Sequence, residues 1–119
     1  MLSQENRLEK RKEFAYLYNH GQAKHSTNIT LVYLPTKFRT VKIGFSVTKK
    51  IGKAFVRNRV KRVMRAVVRE FVKDLPNEYN IVFIAKSGIE NLTYKDVYEQ
   101  VKILIDKSGL CKLKENTNV

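Results

Sequence analysis

Cysteine occurs once, at Cys111, which excludes an internal disulfide. Histidine occurs twice, and neither His20 nor His25 has a neighbouring thiol that would complete a zinc site, so no metal ligand is assigned to the chain. Tryptophan is absent and proline occurs only twice. There is no apolar run of membrane-spanning length, and the first residues, MLSQENRLEKRKEF, hold no apolar stretch as long as a signal peptide's. The expectation is a cytoplasmic protein with no membrane partner. Acids are scarce too, 11 against 24 Lys and Arg, and they are scattered along the chain. Glu9 and Glu13, four apart, are placed to pair with nearby cations rather than to hold a metal. Metal-assisted hydrolysis needs a convergent set of ligands, and nothing in this sequence supplies one. No catalytic residue is therefore assigned.

What is present in quantity is positive charge. A net charge of +13 on 119 residues costs stability by self-repulsion unless a polyanion is the usual neighbour. With 43% apolar residues the chain can still bury one modest core. The expectation is a single polyanion-binding domain over residues 1–109, followed by a mobile basic and polar tail over 110–119 that lacks periodicity.

Spacing of apolar residues predicts a helix from Arg7 to His20, closed at Gly21, and a β-branched strand over 27–34 halted by Pro35. Residues 41–48 alternate, with Val41, Ile43, Phe45 and Val47 on one face and Lys42, Gly44, Ser46 and Thr48 on the other. The short link TKFRT predicts antiparallel pairing of these two strands. A long helix follows from about Arg57 to Asp74, then a nearly all-apolar strand, Tyr79 to Lys86, expected at the sheet centre. Thr93 caps a final helix, with Asp96 completing a capping box and Ser108-Gly109 ending it. The order is α-β-β-α-β-α, a small α+β sandwich whose short mixed sheet is covered by helices.

The charge is concentrated in GFSVTKKIGKAFVRNRVKRVMRAVVREFVK, residues 44–73, which hold ten Lys or Arg and one acid, Glu70. On a wheel with Val60 at zero, Val63, Met64, Val67, Val68 and Phe71 lie within about 80° of it, whereas Lys61, Arg65, Asn58, Arg69, Arg62 and Lys73 span roughly 100° to 220°. One stripe is built to pack and the opposite face to meet phosphate. Gly52 allows a tight turn that brings Lys49, Lys50 and Lys53 to the start of the helix. Membrane binding would need the same apolar stripe that covers the sheet. A DNA recognition helix usually belongs to a compact helical domain rather than standing between strands, so DNA is not an expected partner. Structured RNA, recognised through backbone and shape, fits best.

The segment GFSVTKKIGKAFVRNRVKRVMR resembles the bacterial ribonuclease P protein family: a Gly-x-Ser-Val-Ser/Thr-Lys-Lys strand end, a short Gly-containing turn, and Arg-Asn-Arg followed by Lys-Arg. RLEKRKEFAYLYNHG and IVFIAK extend the likeness. The resemblance implies the fold of the second domain of ribosomal protein S5, with a left-handed crossover through the long helix. It implies a catalytic RNA subunit as partner, which removes the 5′ leader of precursor tRNA with Mg²⁺ held mainly by the RNA. Lys49, Lys50, Lys53, Arg57, Asn58, Arg59, Lys61, Arg62, Arg65 and Arg69 would meet that RNA. Phe14, Tyr18, Thr30, Val32, Lys42, Ser46 and Thr48 would form the leader cleft, though Phe14 suits a core position equally. The family's cleft strand often has an aromatic where this chain has Val32. Tyr33, one place on, belongs to the other face of the strand. A ribosome-associated or general structured-RNA-binding protein is the alternative, and a protein-only nuclease a more distant one.

Overall fold

The computed structural model describes residues 11–36, 42–76 and 79–110. Helix α1 is Arg11–His20, strand β1 Gln22–His25, β2 Ile29–Pro35, β3 Lys42–Ser46, helix α2 Ala54–Arg69, β4 Tyr79–Ala85 and helix α3 Tyr94–Ser108. The four strands form one mixed sheet in the order β1-β2-β4-β3. Leu110, just past the expected domain end, is fully buried in the core. The rest of the expected tail, like Arg7 to Lys10 of the first predicted helix, lies outside the described residues.

Strand β4 is central because it can be buried on both faces. Ile81, Phe83 and Ala85 point to the side covered by α2 and α3, joining Ile29, Leu31, Tyr33 and Ile43, while Val82 points to the side covered by α1, against Leu17 and Val32. Only a strand apolar on both sides can occupy that place. The predicted antiparallel pairing of β2 with β3 is therefore corrected. β2 runs antiparallel to β4, and β3 runs parallel to it, so the two are antiparallel in direction but are separated by β4. The span from Pro35 to Lys42 can reach about 20 Å extended, against about 10 Å for two strand spacings, so the short link does not require adjacency. β3, α2 and β4 thereby make a crossover unit, two parallel strands joined through a helix.

Strand β1 was not legible in the sequence. QAKH is short and polar, and it pairs with β2 from Gln22↔Tyr33 to His25↔Thr30 at the sheet edge. Its turn is held from elsewhere in the chain. Gln100 Oε1 on α3 accepts from Ser26 Oγ at 2.8 Å and from the Asn28 backbone N–H at 2.9 Å, and Gln100 Nε2 donates to Asn28 Oδ1 at 3.0 Å. The order is thus α-β-β-β-α-β-α, with the sandwich otherwise as expected.

Helix α2 begins three residues earlier than predicted and ends sooner. After Arg69 the chain tightens, with Glu70 N donating to Val67 O and Phe71 N to Val68 O, and a short 3-10 turn covers Val72–Asp74. Such i to i−3 bonds are a common way to satisfy the last carbonyls of a helix. The buried stripe is Val60, Met64, Val67 and Val68, as the wheel predicts. Helix α3 starts with the predicted capping box: Asp96 N donates to Thr93 Oγ1 and Thr93 N to Asp96 Oδ2, each at 3.2 Å. It ends at Gly109, whose φ of 73° explains the choice of glycine.

Candidate nucleic-acid interface

The approach to α2 is a 3-10 turn at Lys49–Ile51 that buries Ile51 and leaves Lys49 and Lys50 exposed. Gly52 follows with φ 152°, and a Cβ there would crowd Val56 Cγ1 at 3.2 Å. Lys53 is the helix N-cap, makes no side-chain cap bond, and no acid lies in the first turn. Uncapped amides and three lysines add their positive potentials at one end of the helix.

Along the outward face the cations differ in how they are held. Arg57 is half-buried and donates from Nε to Gly52 O at 3.2 Å, which uses one of its five donors and braces the turn. Arg65 is half-buried too, its guanidinium 5.8 Å from the ring centroid of Phe45. Phe45 in turn stacks on core residue Phe83, centroids 6.0 Å apart and planes 20° apart. This pile of Phe83, Phe45 and Arg65 connects the core to the basic surface and restricts the Arg65 side chain before any ligand arrives. Lys61 is half-buried, while Asn58, Arg62 and Arg69 are exposed. Two concavities open between these side chains: one of about 580 Å³ lined by Phe55, Asn58, Lys61, Arg62 and Arg65, the other of about 340 Å³ lined by Arg62, Arg65, Ala66 and Arg69. Arg62 and Arg65 belong to both.

Arg59 is placed differently. Its Nη2 donates to Glu90 O at 2.8 Å, and its side chain lines a small cavity with Val60, Val63, Ile89, Leu92 and Val97 on the α3 side of the helix. At one residue before Val60 it falls at roughly 260° on the wheel, outside the span of the charged face. Glu70, the one acid of the segment, accepts a hydrogen bond from the Tyr94 hydroxyl of α3. That bond, before desolvation, pushes the Tyr94 phenol above its usual value and keeps it a neutral donor. Among the described residues, Glu70 is thus engaged by α3, and Lys61, Arg62 and Arg69 make no ion pair.

The opposite side of the sheet carries the second surface. Register places Thr30, Ile84 and Ser46 in one row across the strands, Val32, Val82 and Gly44 in the next, and Leu34, Asn80 and Lys42 in a third. Helix α1 packs mainly over β2 and β4, with Leu17 on the middle row. Phe14 is half-buried against that cluster, and Tyr18 is 45% exposed, their ring centroids 6.3 Å apart. Phe14 thus serves as packing and as a partial surface together. Val32 and Thr30 are buried, Thr30 with its hydroxyl 3.0 Å from His25 Nδ1, so they form floor rather than rim. Lys42 and Ser46 are half-buried on the β3 side, and Thr48 is exposed beyond the strand end. Gly44, between Lys42 and Ser46 on the same face, is buried and contributes no side chain. Tyr33 faces the other way, buried in the α2/α3 core with its hydroxyl donating to Gln22 Oε1 at 3.1 Å.

The arrangement is a basic helix backed by a β-α-β crossover on one side and an aromatic-bearing sheet face on the other. The Ribonuclease P family matches residues 2–109. The chain belongs to the bacterial ribonuclease P protein family. A ribonuclease P protein component of Clostridium botulinum (strain 657) is 34% identical over 107 residues, covering 89% of this chain and 96% of the relative. That of Clostridium kluyveri is 36% identical over 110 residues, with 89% and 96% covered. Among solved structures, the Staphylococcus aureus RNase P protein superposes with a TM-score of 0.82 at 21% identity, covering 88% of this chain and 96% of that one. The Thermotoga maritima RNase P protein gives 0.74 at 23% identity, with 82% and 94% covered. These two support the sandwich architecture.

Within this ribonuclease P protein fold one surface residue was missed by sequence reasoning. Phe55 is 71% exposed in the first turn of α2. A helix predicted to begin at Arg57 leaves Phe55 in a loop, with no face to belong to. Continuing the wheel back to Ala54 would have placed it at roughly 220°, among the cations.

Proposed function

We propose that this chain is the protein subunit of ribonuclease P, assisting a catalytic RNA in the endonucleolytic removal of the 5′ leader from precursor tRNA in the cytoplasm. The observation that carries this reading is the separation of two surfaces by one sheet. The α2 face, with Arg62, Arg65 and Arg69 directed outward, suits the phosphates of a folded RNA subunit. The α1 side, with Tyr18 at its rim, suits a single-stranded leader whose bases stack without sequence demand. A protein placed between the two would contribute substrate affinity and charge compensation, leaving the cleavage chemistry to the RNA.

Mg²⁺ enters this reading only as a companion of the RNA. Among the described residues no group of three His, Cys, Asp or Glu is placed to hold a metal, so no metal-assisted step is assigned to these side chains. The protein alone is expected to leave precursor tRNA intact, and to yield the mature 5′ end when reconstituted with a bacterial ribonuclease P RNA in Mg²⁺. Metal-dependent cutting by the protein alone, at the same site, would refute this division of labour.

Tyr18→Ala is expected to weaken the reconstituted enzyme's binding of leader-bearing precursor by roughly tenfold, the size of one lost base–aromatic stack. Binding of mature tRNA should change little. Equal losses for both ligands would remove Tyr18 from the leader surface and favour the general structured-RNA-binding alternative.

A further inference from the structure

Phe55 is the most exposed large apolar side chain among the described residues, and its surroundings are not those of a stray surface hydrophobe. It lines the concavity of about 580 Å³ together with Asn58, Lys61, Arg62 and Arg65. Asn58 lies three residues on, a helical neighbour on the same face. An aromatic ring surrounded by cations and one neutral amide offers three kinds of contact at once: a π-face, phosphate donors, and a group that both donates and accepts.

A second copy of this chain is a poor occupant, since each carries a net charge of +13 and the ring sits within the most basic surface. A paired stretch of RNA is poor as well, because its base faces are already stacked and only its edges and backbone are open. An unpaired nucleotide fits all three contacts. On the reading that α2 meets the RNA subunit, we infer that Phe55 is a stacking platform for one unpaired base of that RNA. Asn58 reads the edge of the base, and Lys61, Arg62 and Arg65 hold the phosphates on either side. The basic helix then binds a bulge or loop of the RNA subunit, in addition to its helical backbone.

The chain lacks tryptophan, so Phe55→Trp creates a single fluorescent reporter at the site. Full-length wild type, Phe55→Ala, Phe55→Leu and Phe55→Trp would be titrated with an in vitro transcribed bacterial ribonuclease P RNA over a salt series, with circular dichroism confirming the fold. Phe55→Ala is expected to bind about 5- to 150-fold more weakly, with an unchanged slope of log affinity against log salt because no cation is lost. Phe55→Leu should be nearly as weak, keeping apolar bulk but no π-face. Phe55→Trp should bind within about twofold of wild type, its emission quenched as RNA is added. Binding of Phe55→Ala within twofold of wild type, or Trp emission unaffected by RNA, would overturn the platform. If Arg62→Ala still weakens binding in that case, the α2 face remains the RNA face and only the base contact is lost. If neither substitution matters, the reading of the face fails with it. Loss of self-association by Phe55→Ala in sedimentation, with RNA affinity intact, would assign the ring to a second copy instead.

Discussion

Replacing Arg62 and Arg65 together by alanine is expected to lower affinity for the ribonuclease P RNA by about 100-fold or more, from two charge-assisted contacts at about 1.5–3 kcal/mol each. The slope of log affinity against log salt should fall by about 1.4 to 1.8, since each phosphate contributes about 0.7 in a single strand and about 0.9 in a duplex. These two residues are chosen because they alone line both concavities on α2. Arg65 is already restrained over Phe45, so little of its binding is spent on ordering the side chain. Arg65→Lys should therefore recover the slope but only part of the affinity, because an ammonium keeps the charge without the planar fork. The stability of the free protein should change by less than about 1 kcal/mol, because the lost contact of Arg65 with the Phe45 ring is offset by relieved repulsion. Like-charged neighbours at i,i+4, such as Lys61/Arg65 and Arg65/Arg69, repel by a few tenths of a kcal/mol, and removing Arg65 relieves both pairs. Filter binding from low to high salt checks the first result and thermal melting the second. Unchanged affinity at every ionic strength would show that this face does not meet the RNA.

Gly21→Ala is expected to lower stability by about 2–3 kcal/mol, the upper part of the range for an overpacked core site. At about 4–8 °C per kcal/mol for a small domain, the Tm should fall by about 10 °C or more. An added Cβ would lie 2.6 Å from Leu17 O, 2.8 Å from Val32 Cγ1 and 3.0 Å from Tyr33 O. Two of these are backbone atoms, one in the last turn of α1 and one in β2, and neither can swing aside as a long side chain could. Gly21 N also donates to Leu17 O at 2.8 Å, so the same residue closes α1 and seats it on the sheet. Because α1 carries Phe14 and Tyr18, the damage should fall unequally: leader affinity declines, while RNA-subunit affinity through α2 is kept wherever the protein remains folded. A Tm within about 2 °C of wild type would mean that the turn relaxes and the close approach is not needed.

The features legible in the sequence are those settled within a few residues. The two faces of α2 follow from helical spacing alone, and the stripe of Val60, Met64, Val67 and Val68 is the one buried. The Thr93–Asp96 capping box needs only a side chain that can reach three residues along. Alternation put Lys42 and Ser46 on one face of β3, and Tyr33 on the face of β2 opposite Val32, and both placements hold in the sheet.

The features that were not legible depend on distant parts of the chain. QAKH has no strand signature, and its turn to β2 is fastened by Gln100 on α3. Arg59 looks like one more member of the Arg-Asn-Arg motif; helical spacing takes it off the charged face, but only the fold supplies its partner there, the carbonyl of Glu90, 31 positions on. Phe55 was hidden by an element boundary, the least determined feature of any helix, since fraying and capping decide it over a residue or two.

By itself, then, the order of residues settled that a strongly basic helix must pack with one side and present charge with the other, because both patterns are periodic and local. The packed structure decided that β4 separates β2 from β3, and hence which strands floor the α1 surface. Strand neighbours are chosen by competition for a place buried on both sides, and that competition involves residues as far apart as Ile43 and Ile81, which no local pattern can rank.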